Sequence, residues 1–229
     1  MIFLFGLIFL STVAAISFDS SISFAAVDNA LPIEIFDELE LECLSVYDYA
    51  INQANSFMHG KRQTFWLEIN SSTVPRTNIE RAILYLKTIL MKDTLDLIGG
   101  AEYWVQLRTS NEGIGFHYDK DEAKASIHGK MVHPQISTIL YLTDAGSPTF
   151  IFNMTTDGNN DTPEIPTNGW ISFPKINRYV MFKGTLQHGV LPLASNTKSV
   201  SLSKSSNRLT LLINWLVVFI LFNIKRSRF

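Results

Sequence analysis

Apolar positions change period near residue 100 of this 229-residue chain. Before that point they recur at helical spacing. In 44–55, Leu44, Tyr47, Ala50 and Ile51 share one face. From Asn78 to about Leu97, the residues Ile79, Ala82, Ile83, Leu86 and Leu90 form one buried stripe. Thr77-Asn78-Ile79-Glu80 has the form of a capping box at the start of this helix, and Gly99-Gly100 is placed to end it. From Ala101 onward short β-rich runs alternate with turn residues. The pattern predicts strands at 103–108, 136–142, 149–153, 170–173, 179–183 and 208–215. Between them lie Asn111-Glu112-Gly113, Asp144-Ala145-Gly146 and the polar stretch 155–168. Helices followed by many short strands predict an α+β fold with a β-sandwich or jelly-roll core.

The two ends have a different texture. Residues 1–16 are almost all apolar, too few for a comfortable membrane span, and Val13-Ala14-Ala15 suits signal cleavage, so this segment is expected to be a signal peptide. Sequons at Asn70, Asn153 and Asn160 agree with a glycoprotein of the secretory pathway, in the endoplasmic reticulum lumen or secreted. The single cysteine, Cys43, excludes an intrachain disulfide and reads as a small buried hydrophobe. Residues 209–224 are apolar and are followed by Lys225, Arg226 and Arg228. That run reads either as a short membrane anchor or, in its first half, as a buried strand. Four segments result: 1–16 as signal, 17–100 as a helical support region, 101–215 as the core and 216–229 as a hydrophobic, basic tail. A hydrophobic fraction of 46% can fill one core, and a net charge of −2 gives no reason to expect nucleic acid.

Candidate chemistry centres on two of the five histidines. Gly115-Phe116-His117-Tyr118-Asp119 sets an imidazole and a carboxylate two residues apart, so an extended strand can turn both toward one point. Gln187-His188-Gly189-Val190 follows a strand-like run and supplies a distant second imidazole. Two histidines and one carboxylate on one face of an octahedron leave three positions open, which is the ligand set of non-heme iron(II) oxygenases. Arg208 opens the last apolar strand. Its fork suits a carboxylate, and Thr210 shares its face by alternation.

The His-X-Asp, the later His-Gly-Val and the arginine heading an apolar strand resemble the 2-oxoglutarate- and iron(II)-dependent oxygenases of the prolyl 4-hydroxylase-like branch. The resemblance covers about 101–215. It implies a double-stranded β-helix core with Fe(II) held by His117, Asp119 and His188. The co-substrates would be 2-oxoglutarate and O2, and succinate and CO2 would be released. The implied reaction is hydroxylation of a protein side chain of prolyl or lysyl type, with ascorbate a candidate reductant. Arg208 and Thr210 would hold 2-oxoglutarate, with Lys183 as runner-up and Tyr103 as an inward-facing hydroxyl. The polar stretch 195–207 reads as a looped insertion that lengthens the family's usual spacing between the distal histidine and the arginine.

Other readings remain open at this point. A secreted or membrane-tethered jelly-roll module could keep the shape without the chemistry. A cupin-like metalloenzyme could hold zinc or manganese through His128 or His133, both expected on a loop or lid. His59 is expected to be exposed, and Trp104, Trp170 and Trp215 to pack in the core. The substrate, a protein or a small molecule, is not readable from the chain.

Overall fold

The computed structural model describes residues 23–57, 64–90, 98–109, 112–120, 131–192 and 207–217. The leader segment, His59, His128, most of the stretch read as an insertion, and residues 218–229 lie outside the described residues.

The elements in chain order are β1 (Phe24–Val27), α1 (Ile33–Phe57), β2 (Phe65–Glu68), α2 (Asn78–Leu90), β3 (Ile98–Thr109), β4 (Ile114–His117) and β5 (Ile136–Tyr141). They continue with β6 (Thr149–Phe152), β7 (Thr155–Thr156), β8 (Asp161–Thr162), β9 (Gly169–Ser172), β10 (Arg178–Lys183), β11 (His188–Val190) and β12 (Asn207–Val217). One antiparallel sheet has the order β1-β10-β5-β12-β3-β2, and a second has β4-β11-β6-β9. The chain passes from one sheet to the other between β3 and β4, β4 and β5, β5 and β6, β9 and β10, β10 and β11, and β11 and β12. That alternation makes the two sheets a jelly roll, the architecture expected from the strand pattern.

The helices cover the outer face of the larger sheet. The stripe read from the sequence is the buried face of α2: Ile79, Ala82, Ile83 and Leu86 are each no more than 1% exposed. Thr77 caps α2, its Oγ1 accepting from the Glu80 amide at 3.1 Å. The Glu80 carboxylate reaches back one residue further than a capping box requires. It accepts from the Arg76 amide at 2.7 Å and from the Arg76 guanidinium. α1 begins eleven positions before the predicted face, at Ile33, and buries Phe36, Leu39 and Cys43. Burial raises the Cys43 thiol well above its ordinary range. Gly99 and Gly100 belong to β3 and do not end α2. A Cβ at Gly100 would fall 2.0 Å from the Trp66 ring, so the glycine exists to let that indole lie across the strand.

Strand alternation divides the larger sheet into two faces. Leu209, Leu211, Ile213 and Trp215 of β12 join the helix-side core with Ala101 and Tyr103 of β3 and Tyr179 and Met181 of β10. The opposite face carries Arg208, Thr210, Leu212 and Asn214 of β12 and meets the smaller sheet. There Ile139, Tyr141, Ile151, Val180, Phe182 and Leu186 form a second cluster. β12 lies between β3 and β5 and is covered on both faces, which explains why its sequence is apolar enough to resemble an anchor. It extends through Leu216 and Val217, two residues into the segment read as a tail. Among the described residues no helix is long and apolar enough to cross a membrane.

Trp215 is fully buried, and its Nε1 donates to Thr138 Oγ1 at 3.3 Å and Tyr179 Oη at 3.2 Å. It therefore ties β12 to β5 and β10. Trp215→Ala is expected to cost about 3–5 kcal/mol of stability. Urea denaturation should show a lower midpoint with an unchanged slope. An unaltered midpoint would mean that β12 does not build this sheet.

Candidate metal centre

β11 is three residues long and lies between β4 and β6. Its first residue, His188, is the cross-strand partner of His117, the last residue of β4. The next registered pair is Val190 with Ile114, so β4 carries one more residue than β11 over this stretch. Such a bulge twists the strand and re-aims its side chains. The two imidazoles end with ring centroids 4.4 Å apart. Asp119 lies two residues beyond the end of β4, so the carboxylate is presented by the turn after the strand and not by the strand itself.

The donor atoms of His117, Asp119 and His188 all lie within 4.8 Å of one another. His117 Nε2 is 3.8 Å from Asp119 Oδ1, and His188 Nε2 is 3.6 Å from Asp119 Oδ2. Each histidine donates through Nδ1 to a backbone carbonyl, His117 to Gly115 at 2.8 Å and His188 to Leu186 at 3.0 Å. Those bonds place the proton on Nδ1 and leave both Nε2 lone pairs facing Asp119. Burial lowers the His188 pKa, with Asp119 opposing and His117 assisting, which favours the neutral ligand form. Ser137 on β5 donates to Asp119 Oδ2 at 2.7 Å, orienting the carboxylate from the larger sheet. A pair of imidazoles whose Nε2 atoms converge on an oriented carboxylate fits a divalent transition metal that prefers nitrogen and oxygen donors.

Arg208 stands in the same cleft and is 2% exposed. Its Nη2 donates to Thr149 Oγ1 at 2.9 Å, and its Cζ lies 5.2 Å from the centre of the Tyr141 ring. Nε and Nη1 are buried without a hydrogen-bond partner, and no carboxylate pairs with the guanidinium among the described residues. Room for its stem comes from Gly146, where φ is +95° and a Cβ would sit 2.6 Å from Arg208 Cβ. A buried cation with free donors fits a ligand carboxylate. Thr210 shares this face and is fully buried, its Oγ1 donating to the Gln106 carbonyl at 3.4 Å.

Other candidates fall elsewhere. Tyr103 stacks on Phe65 on the helix side of β3, and burial pushes its phenol up to about 12. Lys183 alternates with Tyr179 and Met181, so it too leaves the cleft face, where Val180 and Phe182 point. The expectation that these two residues meet the co-substrate is corrected by strand parity. His133 donates through Nδ1 to the Asp119 carbonyl at 2.7 Å and supports the ligand turn from behind. The sequence places Ser137 and Thr149 in strands and Gly146 in a turn, and gives none of them a part in the site. Their only signal was a small polar or glycine position within or beside an apolar strand.

No family model matches the chain, and no curated protein matches it. Solved structures do. A prolyl-4-hydroxylase from Pseudomonas putida superposes with a TM-score of 0.51 at 15% identity, covering 85% of this chain and 88% of that one. The two proteins share the jelly-roll fold. HygX from Streptomyces hygroscopicus, solved with nickel and 2-oxoglutarate bound, superposes at 0.46 with 12% identity over 86% of this chain and 83% of that one. A viral collagen prolyl hydroxylase from Paramecium Bursaria Chlorella virus-1 gives 0.42 and 16%, over 85% and 96%. The likeness to the Pseudomonas putida enzyme speaks for the fold alone; the case for a metal comes from the donor geometry.

Gly189 follows His188 on β11 and lets that strand pack closely against β4. A Cβ there would meet Phe116 Cδ1 at 2.8 Å and the Ile114 carbonyl at 2.9 Å, so β4 would have to move. Gly189→Ala should weaken metal affinity by about 10–100-fold, the range seen when support around ligands is lost. Titration with cobalt(II), followed by its visible absorption, measures this. Wild-type affinity in the variant would show that the strand spacing does not set the site.

Proposed function

We propose that the protein is an iron(II)- and 2-oxoglutarate-dependent oxygenase that hydroxylates an organic substrate and releases succinate and CO2. The observation that supports this best is the coexistence, in one cleft, of the His117–Asp119–His188 cluster and a buried arginine with free donors. Zinc or manganese in a cupin-like site would not require that arginine. A binding module would not require three aligned ligands.

Iron with its bound co-substrates supplies the oxidising power. The chain's residues bind, orient and exclude. His117 and His188 offer Nε2 because their Nδ1 protons are held by carbonyls. Ser137 fixes the carboxylate of Asp119. Arg208 takes the distal carboxylate of 2-oxoglutarate, steadied by Thr149 and by the face of Tyr141. Ile139, Val180 and Phe182 line the cleft with apolar surface and keep water from the reacting centre. A prolyl or lysyl side chain is the substrate we favour, and ascorbate the accessory reductant. Secretory placement is supported by the exposed sequons Asn70 and Asn160 and by the apolar leader.

Purified protein given iron(II), oxygen and 2-oxoglutarate should form succinate. His117→Ala, Asp119→Ala or His188→Ala should abolish it while far-ultraviolet circular dichroism is unchanged. Full succinate production by His117→Ala would sink the proposal. Arg208→Ala should raise the 2-oxoglutarate requirement on the order of a hundredfold or more, the effect of removing one partner of a buried ion pair. Lys183→Ala should leave that requirement unchanged. Expressed through a eukaryotic secretory pathway, the protein should lose its leader and lose mass on glycosidase treatment. An intact Met1 with no mass change would argue against secretion.

A further inference from the structure

The cleft holds a second guanidinium. Arg108 of β3 is the registered cross-strand partner of Arg208. Partners across a ladder share a face, so Arg108 also stands on the cleft side. Its Nε is buried without a hydrogen-bond partner, and no carboxylate pairs with it among the described residues. Arg108 is half-buried as a residue. Like charges directly opposed across two strands repel, and a half-buried guanidinium whose Nε is shut off from water gains from a counter-ion. Arg208 leans toward β5 and β6, where it meets Tyr141 and Thr149. Arg108 begins on the opposite side of β12 from those strands.

The same face of β3 continues with Gln106 and Trp104. Gln106 is 5% exposed, with both side-chain amide atoms buried and unpartnered, and the buried Trp104 Nε1 is unpartnered as well. One wall of the cleft is therefore a row of polar groups that no other described residue satisfies. It offers an indole N–H, an amide with one donor and one acceptor side, and guanidinium donors. Donors outnumber acceptors, and the end of the row is cationic.

We propose that this wall binds the primary substrate and that the substrate is an amide-bearing carboxylate, such as an acylated amino acid or a peptide carboxyl terminus. The substrate's carboxylate meets Arg108 and its amide meets Gln106. This rests on the oxygenase reading, because there the two carboxylates of 2-oxoglutarate are already assigned, one to the metal and one to Arg208. Arg108 is then left with a free positive charge in the cleft.

The test uses full-length protein loaded with zinc(II) and saturating 2-oxoglutarate, in chloride-free buffer. N-acetylglycine and its neutral counterpart N-acetylglycinamide are titrated by ligand-observed NMR, and 2-oxoglutarate affinity is measured by calorimetry. N-acetylglycine should bind at least about tenfold more tightly than the amide, as a charge-assisted contact requires. Arg108→Gln should erase that preference and leave 2-oxoglutarate affinity within about twofold of wild type. Arg108→Lys should keep the preference, and Gln106→Ala should weaken both probes together. Equal binding of the two probes to wild type, or binding of neither, overturns the proposal. A matching loss of 2-oxoglutarate affinity in Arg108→Gln also overturns it and makes Arg108 a second co-substrate clamp. A wild-type protein that binds no 2-oxoglutarate refutes the oxygenase reading itself, and this inference with it, before any variant is compared.

Discussion

The register of β12 is the constraint on which most of the molecule depends. Its odd positions, Leu209 to Trp215, fill the core beneath the helices, and its even positions, Arg208 to Asn214, face the cleft. A slip by one residue would drive a guanidinium into the helix-side core and turn Leu209 toward the cleft. Such slips are strongly penalised wherever one face is buried. Here both faces are buried and only one tolerates polar groups. The long ladder with β3, from Asn207 against Thr109 to Trp215 against Ala101, and the second ladder with β5 hold that register. Packing on the helix side thus determines where the cleft arginine stands.

The candidate metal ligands and the arginine come from different sheets. His117 and His188 lie on neighbouring strands of the smaller sheet, and Arg208 belongs to the larger one. Two links fix the gap between them. Ser137 reaches Asp119 at one level, and Arg208 and Tyr141 reach Thr149 at another, the latter at 2.7 Å. Between these levels lies the small apolar cluster of Ile139, Val180 and Phe182. The Phe182 ring packs 4.8 Å from that of His188, so the cluster also restrains a ligand. The helix-side core is the larger of the two and carries most of the apolar burial. That division lets the cleft retain unpaired polar groups without loss of the fold.

Legibility in the sequence followed how local each signal was. The stripe of α2, its Thr77 cap and six of the strands were visible because each rests on periodicity within a dozen residues. The start of α1 was hidden. Glu34, Asp37, Glu38, Glu40 and Glu42 interrupt its apolar face, and only the packing of Phe36, Leu39 and Cys43 makes the face evident. Gly99-Gly100 read as a helix stop because glycine is the usual breaker, but the reason for it, the Trp66 ring, comes from another strand. His117, Asp119 and His188 could be grouped through order and spacing. Tyr103 and Lys183 were misplaced because alternation within a strand tells which residues share a face, never which face is the cleft. That assignment needs register between strands, as in the pairing of Tyr103 with Ile213.

Unsatisfied polar groups give the cleft its meaning. Native proteins hydrogen-bond nearly all buried polar atoms, and exceptions call for an explanation. The described exceptions here include Trp104 Nε1, both amide atoms of Gln106, Arg108 Nε, and Nε and Nη1 of Arg208. All lie on β3 and β12, at alternate positions of the same face. A structural role would have paired them with one another or with a carboxylate, as Arg178 is paired with Asp28 at 2.6 Å and Arg76 with Glu80 at 2.6 Å elsewhere in the chain. Arg178 and Arg76 thus pair with carboxylates away from the cleft, whereas Arg108 and Arg208 keep open donors along one wall of it. Four further unpartnered buried atoms, Arg81 Nε, Tyr118 Oη, His133 Nε2 and Ser172 Oγ, lie apart from this row among the described residues. The six atoms aligned along one face of two adjacent strands are what a site requires when its missing partners are ligands.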